Sequence, residues 1–257
     1  TVVNVNPLYT SSELKHQLND SDAKVIIVLA NFAGILEGIL SETKLKHVLV
    51  TQIGDMIGGI KGSLINFAVK YVKKMVPSFS LPNATSLMKA LKSGADHEFI
   101  QPHIKSSDLA FLQYTGGTTG VSKGAMLSHG NLVANLLQVN AWMKSGGLKE
   151  GAEIYITALP IYHIFALVAN VLGSVSLGSQ NILITNPRDM DGFIKELKKH
   201  KFTILSGVNT LFNGLLNHPE FKNCDFSELR FGFGGGMAVQ NSVAEKWLEV
   251  TDSPLAE

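Results

Sequence analysis

The sequence predicts an α/β fold in which largely parallel β-sheets are flanked by helices. Short apolar runs alternate with helical patterns along almost all of the 257 residues, which is typical of strand–helix–strand units. Hydrophobic residues make up 45% of the chain, enough for a large buried core. The net charge is only +1, so the composition gives no electrostatic reason to expect a nucleic acid as a partner.

The first third of the chain contains one helix signal and two strand signals. Thr10 and Glu13 have capping-box spacing and predict a helix that ends near Asn19, because their side chains can satisfy free amides of the first turn. The apolar runs 25–30 and 47–51 predict strands, the first of them buried.

Residues 57–76 predict an amphipathic helix. Its apolar residues recur at helical spacing, whereas Lys70, Lys73 and Lys74 fall on the opposite face. Two interpretations are open: the apolar stripe packs on the protein's own core and the lysines are solvated, or the helix lies on an anionic membrane surface. The stripe consists of Ile57, Ile60, Leu64, Ala68, Tyr71 and Met75.

Residues 92–107 predict a connection between two α/β subdomains, because they are polar, contain glycine and proline and lack a period. We therefore place the subdomains at 1–103 and 104–257. After the connection the pattern predicts strands at 109–114, 125–128, 154–158, 181–185, 203–207 and 229–233. Helices are predicted at 131–143, 163–177, 191–199, 210–216 and 240–250.

Residues 114–124, Tyr-Thr-Gly-Gly-Thr-Thr-Gly-Val-Ser-Lys-Gly, are the strongest indication of function. Glycines let successive backbone amides converge on an anion, threonine hydroxyls add donors, and a lysine adds positive charge. We predict a phosphate-binding loop here, with a glycine-rich hairpin as the structural alternative. The candidate ligands are Thr115, Gly116, Gly117, Thr118, Thr119, Gly120 and Lys123.

Several familiar motifs do not fit this loop. Lys123 precedes Gly124, whereas the usual nucleotide P-loop ends in Gly-Lys-Ser/Thr, and the chain has no Gly-x-Gly-x-x-Gly. Residues 120–124 match the Gly-x-Ser-x-Gly pattern of a hydrolase elbow, but that serine must lie between a strand and a helix. A strand is predicted after Ser122, so the sequence disfavours an esterase.

The segment 112–123 resembles the signature of the adenylate-forming superfamily, which contains acyl-CoA synthetases, luciferases and adenylation domains of peptide synthetases. Further segments resemble bacterial long-chain fatty acid–CoA ligases, a family within that superfamily, and they cover nearly the whole chain. The resemblance implies part of the N-terminal domain of the adenylate-forming enzyme fold. The further segments are 4–10, 159–167, 184–189, 207–210 and 234–237.

The resemblance implies a reaction with ATP, Mg²⁺ and CoA. A fatty acid carboxylate attacks ATP to give an acyl-adenylate and pyrophosphate, and CoA then displaces AMP to form the thioester. The loop would hold the β- and γ-phosphates, with Thr118 among its hydroxyl donors and Lys123 compensating the charge. The relatives most often carry serine at Gly116 and proline at Ser122, two departures that should loosen the loop slightly.

Two further groups of site residues follow from the resemblance. His163 would lie beside the carboxylate and the α-phosphate, although a histidine that caps the next helix is the alternative. The nucleotide would also contact the glycine turn Gly234, Gly235, Gly236 and Met237, where Ala238 replaces a common proline. The acyl chain would contact His163, Leu167, Gly207, Val208, Asn209 and Phe212, which could equally be core residues. Some relatives have an aromatic gate where this chain has Leu167.

The sequence also allows expectations about cellular location, metal binding and the activity of this chain alone. A single cysteine, Cys224, fits a reducing cytoplasm, with peripheral contact to the cytoplasmic face of the inner membrane as an open alternative. Histidines 16, 47, 97, 103, 200 and 218 lack metal-ligand spacing and are interpreted as surface or loop residues. The family's magnesium-binding Tyr-Gly-x-Thr-Glu motif would follow Glu257, so we expect no metal ligands here and no activity from this chain alone.

Two other functions stay open at this point. One is a ligase of the same superfamily for shorter or aromatic acids, because chain-length preference cannot be read from these residues. The other is a non-catalytic membrane-binding module in which the basic helix at 57–76 dominates.

Overall fold

The computed structural model describes residues 1–116 and 121–257, apart from the side chain of Ser145. It confirms the predicted mixture of helices and mainly parallel sheets. Two compact units divide the chain, unit 1 at Thr1–Leu127 and unit 2 at Ser128–Glu257. Among the described residues, no helix is long and apolar enough to cross a membrane.

Unit 1 contains two three-stranded sheets. β2 pairs in parallel with β3 and β3 with β4, while the second sheet has the order β1-β5-β6 with β1 and β5 parallel. Its strands are β1 (Val2–Val3), β2 (Val25–Leu29), β3 (His47–Thr51), β4 (Thr85–Ser86), β5 (Leu109–Thr115) and β6 (Lys123–Ser128). Its helices are α1 (Ser11–Asp20), α2 (Ala33–Glu37), α3 (Gly59–Phe67) and α4 (Leu87–Gly94), with 3₁₀ turns at Ala30–Phe32 and Leu40–Glu42 and a π-helix at Ala68–Val72.

The predicted start of α1 is confirmed. The Thr10 backbone amide donates to Glu13 Oε2 at 2.8 Å, and the Glu13 amide donates back to Thr10 Oγ1 at 3.4 Å. The expectation that the first strand is buried is wrong, since only Ile26 of β2 is buried and Val25 and Ile27 are more than half exposed. β2 packs one face on the small core of unit 1 and leaves the other open.

The amphipathic helix is shorter than predicted and packs differently. It begins at Gly59 and its π-helical extension ends at Val72, so Lys73 and Lys74 follow the helix instead of lining one face. Five of the six predicted stripe residues are exposed, and Ala68 is half-buried. The stripe does not pack on the core of unit 1, because Gly62 and its neighbours form the inner face of the helix.

Unit 2 is built on one parallel sheet of order β11-β10-β9-β7-β8. Its strands are β7 (Ile154–Thr157), β8 (Gln180–Leu183), β9 (Ile204–Gly207), β10 (Phe231–Gly234) and β11 (Leu255–Ala256). Its helices are α5 (His129–Ser145), α6 (Gly173–Ser176), α7 (Met190–Leu197), α8 (Asn209–Leu216) and α9 (Asn241–Thr251), with a π-helix at Ala166–Leu172 and a 3₁₀ turn at Phe221–Asn223. The elements predicted for residues 125–250 are all present, with ends displaced by a few residues.

Side chains from α7, α8 and α9 fill the main core of unit 2 against the sheet. Trp247 of α9 is fully buried and contacts Phe212 and Phe221, with ring centroids 5.0 and 5.6 Å apart. Burying such large apolar surfaces is the main source of stability in a domain of this size.

The structure divides the chain later than the subdomain boundary that we placed after residue 103. β1 pairs with β5, with Val2 opposite Phe111, and this long-range pairing ties residues 109–127 to the start of the chain. The phosphate loop therefore belongs with unit 1 in the structure and not with the larger sheet of unit 2.

Candidate active site

Both ends of the predicted phosphate loop are described in unit 1. Thr115 is the last residue of β5, and Gly116 after it is exposed, with open space around its Cα. Lys123 is the first residue of β6, where its side chain is exposed and its ammonium pairs with no described residue. Of the predicted ligands, Gly117, Thr118, Thr119 and Gly120 lie outside the described residues.

Helix α1 contacts both ends of this loop through side chains. The Tyr114 hydroxyl donates to Asp20 Oδ2 at 2.5 Å, and His16 Nε2 lies 2.9 Å from the carbonyl oxygen of Ser122. The rings of His16 and Tyr114 also meet edge to face, 6.4 Å apart. His16 and Asp20 are four residues apart and so share one face of the helix.

The sequence interpretation missed this role of α1, because it assigned His16 to the surface. The spacing of His16 and Asp20 was the one local signal available. Spacing alone cannot identify the segment that the helix face contacts, which depends on the pairing of β1 with β5.

Close packing and a raised pKa reinforce the Tyr114 end of the loop. A Cβ at Gly124 would lie 2.9 Å from the Tyr114 ring, so the glycine lets β6 approach the tyrosine. Burial, followed by the hydrogen bond to Asp20, raises the pKa of Tyr114 well above its ordinary value. The hydroxyl therefore stays protonated and donates. Ser122 directly precedes a strand, which excludes the hydrolase elbow.

In unit 2, His163 lies in the turn that begins the next helical segment. Its amide donates to the Pro160 carbonyl at 2.9 Å, and its Nδ1 accepts a long 3.4 Å bond from the Phe165 amide. This is the capping contact of the structural alternative. It also favours the tautomer with the proton on Nε2, and because the side chain is exposed, that proton is available to a ligand.

The predicted glycine turn begins at Gly234, the last residue of β10, and packing leaves no room for a side chain at Gly234 or Gly235. Gly234 is paired with Gly207, and the Gly235 amide donates to the Gly207 carbonyl at 3.2 Å. A Cβ on Gly235 would lie 2.8 Å from the Phe165 ring, and Gly236 has a φ of +79° that favours glycine. Met237, next in the turn, is 78% exposed. The turn thus presents bare backbone beside one apolar side chain.

Three of the six predicted acyl-contact residues, Gly207, Val208 and Asn209, lie together at the end of β9, next to the glycine turn. Val208 lies beside the glycine turn, with its Cγ1 3.8 Å from the position of a Cβ on Gly236. Asn209 Oδ1 accepts from the Gln240 amide at 2.9 Å, so this side chain holds the residue that precedes α9. Phe212 is fully buried in the core against Trp247 and lines no open surface.

An apolar cavity of about 190 Å³ lies along the helical segment that follows His163. Its lining includes Val168, the residue after Leu167. Leu167 itself is half-buried. Most groups around the cavity are aliphatic or aromatic, as expected for a site that accepts hydrocarbon. The lining residues are Asn135, Val139, Ile164, Phe165, Val168, Ala169 and Phe233.

A metal site is not formed by the side chains that the structure describes. In residues 1–116 and 121–257, no group of three His, Cys, Asp or Glu residues is arranged to hold a metal ion. The donors at the loop ends are instead hydroxyl, amide and ammonium groups, which suit an anion.

Comparisons with known proteins show which family the chain resembles. A long-chain-fatty-acid–CoA ligase of Salmonella typhimurium is 54% identical over 256 residues, which are 100% of this chain and 46% of the relative. The solved structure of a long-chain-fatty-acid-CoA ligase from Archaeoglobus fulgidus covers 98% of this chain and 44% of its own, with a TM-score of 0.71 and 26% identity. An anthranilate CoA ligase bound to anthranoyl-AMP has the same fold, with a TM-score of 0.75 at 21% identity over 98% of this chain and 44% of its own.

These similarities run along the chain without a break. The chain spans about half the length of the curated relatives it matches. The family model described as AMP-binding enzyme matches residues 1–257. The chain therefore belongs to the AMP-binding enzyme family.

Proposed function

We propose that the full-length protein is a fatty acid–CoA ligase with a preference for long chains. Its carboxylate substrate attacks the α-phosphorus of ATP, the bond to the β-phosphate breaks, and pyrophosphate leaves. The CoA thiol then attacks the acyl carbonyl, loses its proton and displaces AMP. The observation that carries this proposal is the whole-chain similarity to relatives named long-chain-fatty-acid–CoA ligases, at 51–54% identity for several of them.

The loop of unit 1 is assigned to the triphosphate in this proposal. Thr115, Gly116, Lys123 and the four loop residues between Gly116 and Val121 bind the β- and γ-phosphates, so Lys123 and Thr118 act on the departing pyrophosphate. An exposed lysine without a carboxylate partner can compensate that charge as it develops. Mg²⁺ would be bound together with ATP and would balance the charge of its phosphates.

The residues of unit 2 are assigned to the α-phosphate, the carboxylate and the adenine. His163, with its Nε2 proton exposed, donates to the developing charge near the α-phosphate and the carboxylate. Gly234, Gly235, Gly236 and Met237 offer backbone to a flat adenine ring, which can approach closely only where side chains are missing. Within this turn Gly236 and Met237 are exposed, whereas Gly235 is half-buried and Gly234 is buried, so the exposed part that supports the assignment is Gly236–Met237.

The acyl chain is assigned to apolar surfaces of unit 2. Leu167, Gly207, Val208 and Asn209 are assigned to contact the chain, as the family resemblance implies, and the cavity along the Ala166–Leu172 π-helix is assigned to the hydrocarbon. Phe212 supports this surface from the core. A ligase for shorter or aromatic acids is the competing function, because an apolar cavity alone does not define chain length.

Acid specificity separates these two functions. The full-length protein is incubated with ATP, CoA and oleate, hexanoate or benzoate, and pyrophosphate release is measured. We expect kcat/KM to be highest for oleate. Faster release with benzoate or hexanoate would replace the long-chain proposal by its competitor.

The role of the loop is tested by Lys123→Ala in the full-length protein. Removing a charge that stabilises the transition state typically lowers kcat by about 100-fold or more. We expect oleate-dependent pyrophosphate release to fall by this factor, while Lys222→Ala, an exposed lysine elsewhere, leaves it unchanged. Unchanged release in Lys123→Ala would end the phosphate role of the loop.

For location we propose the cytoplasm, with peripheral contact to the inner membrane. The single cysteine supports a reducing compartment, and fatty acids partition into bilayers because of their apolar chains. Cell fractionation with and without a high-salt wash tests this: release of the protein by salt indicates peripheral contact.

A further inference from the structure

The helical segment 59–72, formed by α3 and its π-helical extension, carries an apolar stripe that faces away from unit 1. This outward stripe consists of Ile60, Leu64 and Tyr71 from the predicted stripe together with Phe67. The four residues are spaced to share one face, and Ile60, Leu64, Tyr71 and Phe67 are 82, 63, 58 and 57% exposed. Soluble proteins rarely expose large contiguous apolar patches, and those that do often use the patch as an interaction surface.

The opposite face of this segment fixes the stripe in its outward orientation. Gly62 is buried, and its Cα packs directly on the Gly54 backbone, where no Cβ would fit. Asn66 accepts from the Gly54 amide at 2.7 Å and donates to Asp55 Oδ1 at 2.8 Å. Rotating the helix to bury the stripe would break these contacts, so the exposure is built into the fold.

The charge of the surrounding segment is one-sided. Residues 56–95 contain six lysines and no acidic residue, while the rest of the chain has 16 basic and 21 acidic residues. All six are exposed and none pairs with a described carboxylate. By contrast, Lys15 and Lys198 form ion pairs with glutamates. The six are Lys61, Lys70, Lys73, Lys74, Lys89 and Lys92.

We propose that the outward face of residues 59–72 docks on an anionic lipid bilayer. The apolar stripe enters the headgroup region, and the unpaired lysines contact lipid phosphates. Lys70 is positioned for this, with its ammonium 5.2 Å from the centre of the Tyr71 ring at the edge of the stripe. This proposal gives the membrane contact proposed above a defined surface and lipid charge, and it does not depend on ligase activity.

A bilayer fits this surface better than a folded protein partner. The stripe offers four apolar side chains with a single hydroxyl, that of Tyr71, so it lacks the pattern of hydrogen-bonding groups that gives a protein interface its register. The lysines are long, mobile and without fixed partners, and they can adapt to a fluid layer of phosphates.

Vesicle flotation of the full-length protein tests the proposal. We expect flotation with equimolar phosphatidylglycerol and phosphatidylcholine, weak flotation with phosphatidylcholine alone, and loss of binding at high salt. The variant Lys70→Glu, Lys73→Glu, Lys74→Glu should bind about 100-fold more weakly or worse, given roughly fivefold for each lysine lost. A second variant, Ile60→Ser, Leu64→Ser, Phe67→Ser, should lose binding through the apolar term.

The matched control applies the same charge change elsewhere. Lys149→Glu, Lys195→Glu and Lys222→Glu reverse three exposed lysines of unit 2 and should float like the wild type. Equal flotation of the control and the Lys70, Lys73, Lys74 variant would overturn the proposal. Equal binding to neutral and anionic vesicles would also overturn it, because the lysines would then have no role. So would a dimer that forms without vesicles and that the serine variant disrupts, because the stripe would then be an interface between two copies of the chain.

Two readouts keep failures separable. Because every substituted residue is exposed, melting temperatures should match the wild type, so loss of binding will not reflect unfolding. Pyrophosphate release in detergent solution reports ligase chemistry independently. Flotation without pyrophosphate release would support the docking surface and contradict the proposed ligase function. Pyrophosphate release without flotation would support the ligase function and contradict the docking surface.

Discussion

The ends of the phosphate loop in unit 1 are held by side chains, whereas the glycine turn in unit 2 is held by backbone pairing and close packing. Tyr114 reaches Asp20, and His16 reaches the Ser122 carbonyl. Gly235, in contrast, bonds to the Gly207 carbonyl and packs under the Phe165 ring. The first arrangement depends on a few removable hydrogen bonds, and the second on the absence of a methyl group.

This difference has a consequence for mutation. Deleting the Tyr114 hydroxyl should lower the unfolding free energy only slightly, because the Asp20 carboxylate is exposed and water can replace its partner. Adding one carbon at the turn forces the Phe165 ring or β10 to move, because interiors are close-packed. We therefore expect the two halves to respond to substitution with different magnitudes.

The largest expected effect is that of Gly235→Ala. Its Cβ would lie 2.8 Å from the Phe165 ring, so overpacking should cost about 1–3 kcal/mol of unfolding free energy. The shifted turn should also weaken ATP binding. Urea denaturation and the KM for ATP of the full-length protein measure the two effects.

Gly94→Ala is the matched control for this prediction. Gly94 ends α4 and has open space around its Cα, so alanine there should keep or slightly raise stability. If Gly235→Ala and Gly94→Ala unfold at the same denaturant concentration, the close packing described for the turn is wrong.

A smaller effect is expected for Tyr114→Phe. The ring that packs on Gly124 is kept, and only the hydrogen bond to Asp20 is lost, which typically costs about 1 kcal/mol. Because that bond positions one end of the loop, the KM for ATP should rise while the KM for the fatty acid stays constant.

Tyr71→Phe controls for the loss of a hydroxyl on an exposed tyrosine of the same unit. It should leave the KM for ATP unchanged in detergent solution. Equal KM values in Tyr114→Phe and the wild type would show that the contact between α1 and the loop is not used in nucleotide binding.

The smallest expected effect concerns the thiol of unit 2. Burial raises the pKa of Cys224 to about 11, against about 8.5 for a free thiol. Between these values the unfolded chain releases a proton that the folded chain keeps, so stability is unaffected below pH 8.5 and declines as the pH rises through this window. The lone cysteine therefore reports on unit 2 by itself.

Reaction with Ellman's reagent at pH 8 measures this directly. We expect the native protein to react far more slowly than the urea-unfolded chain, and its rate to rise steeply above pH 9. Equal rates in the native and unfolded states would mean that Cys224 is not enclosed by the core.

The sequence predicts the regular elements of unit 2 well and the packing of unit 1 less well. Residues 203–207 and 229–233 are apolar runs with clear ends, and β9 and β10 form there because local pattern and burial agree. The two-residue strands β1, β4 and β11 were not predicted. They exist only through pairing with distant strands such as β5, and so short a run carries no local period.

Within the candidate site, the glycines and Lys123 could be identified from local chemistry, whereas Phe212 could not be separated from the core. The sequence also could not predict that the stripe on residues 59–72 faces outward. An apolar stripe predicts that one face is distinctive, but the contact of Gly62 with Gly54, which turns that face outward, joins segments that no pattern links.

We propose that ATP activates a fatty acid on the full-length protein. The most direct test of this proposal is oleate-dependent ATP–pyrophosphate exchange by the full-length protein without CoA. We expect exchange that requires oleate, with acyl-CoA appearing only after CoA is added. No exchange with oleate, or exchange that proceeds equally without any acid, would contradict it.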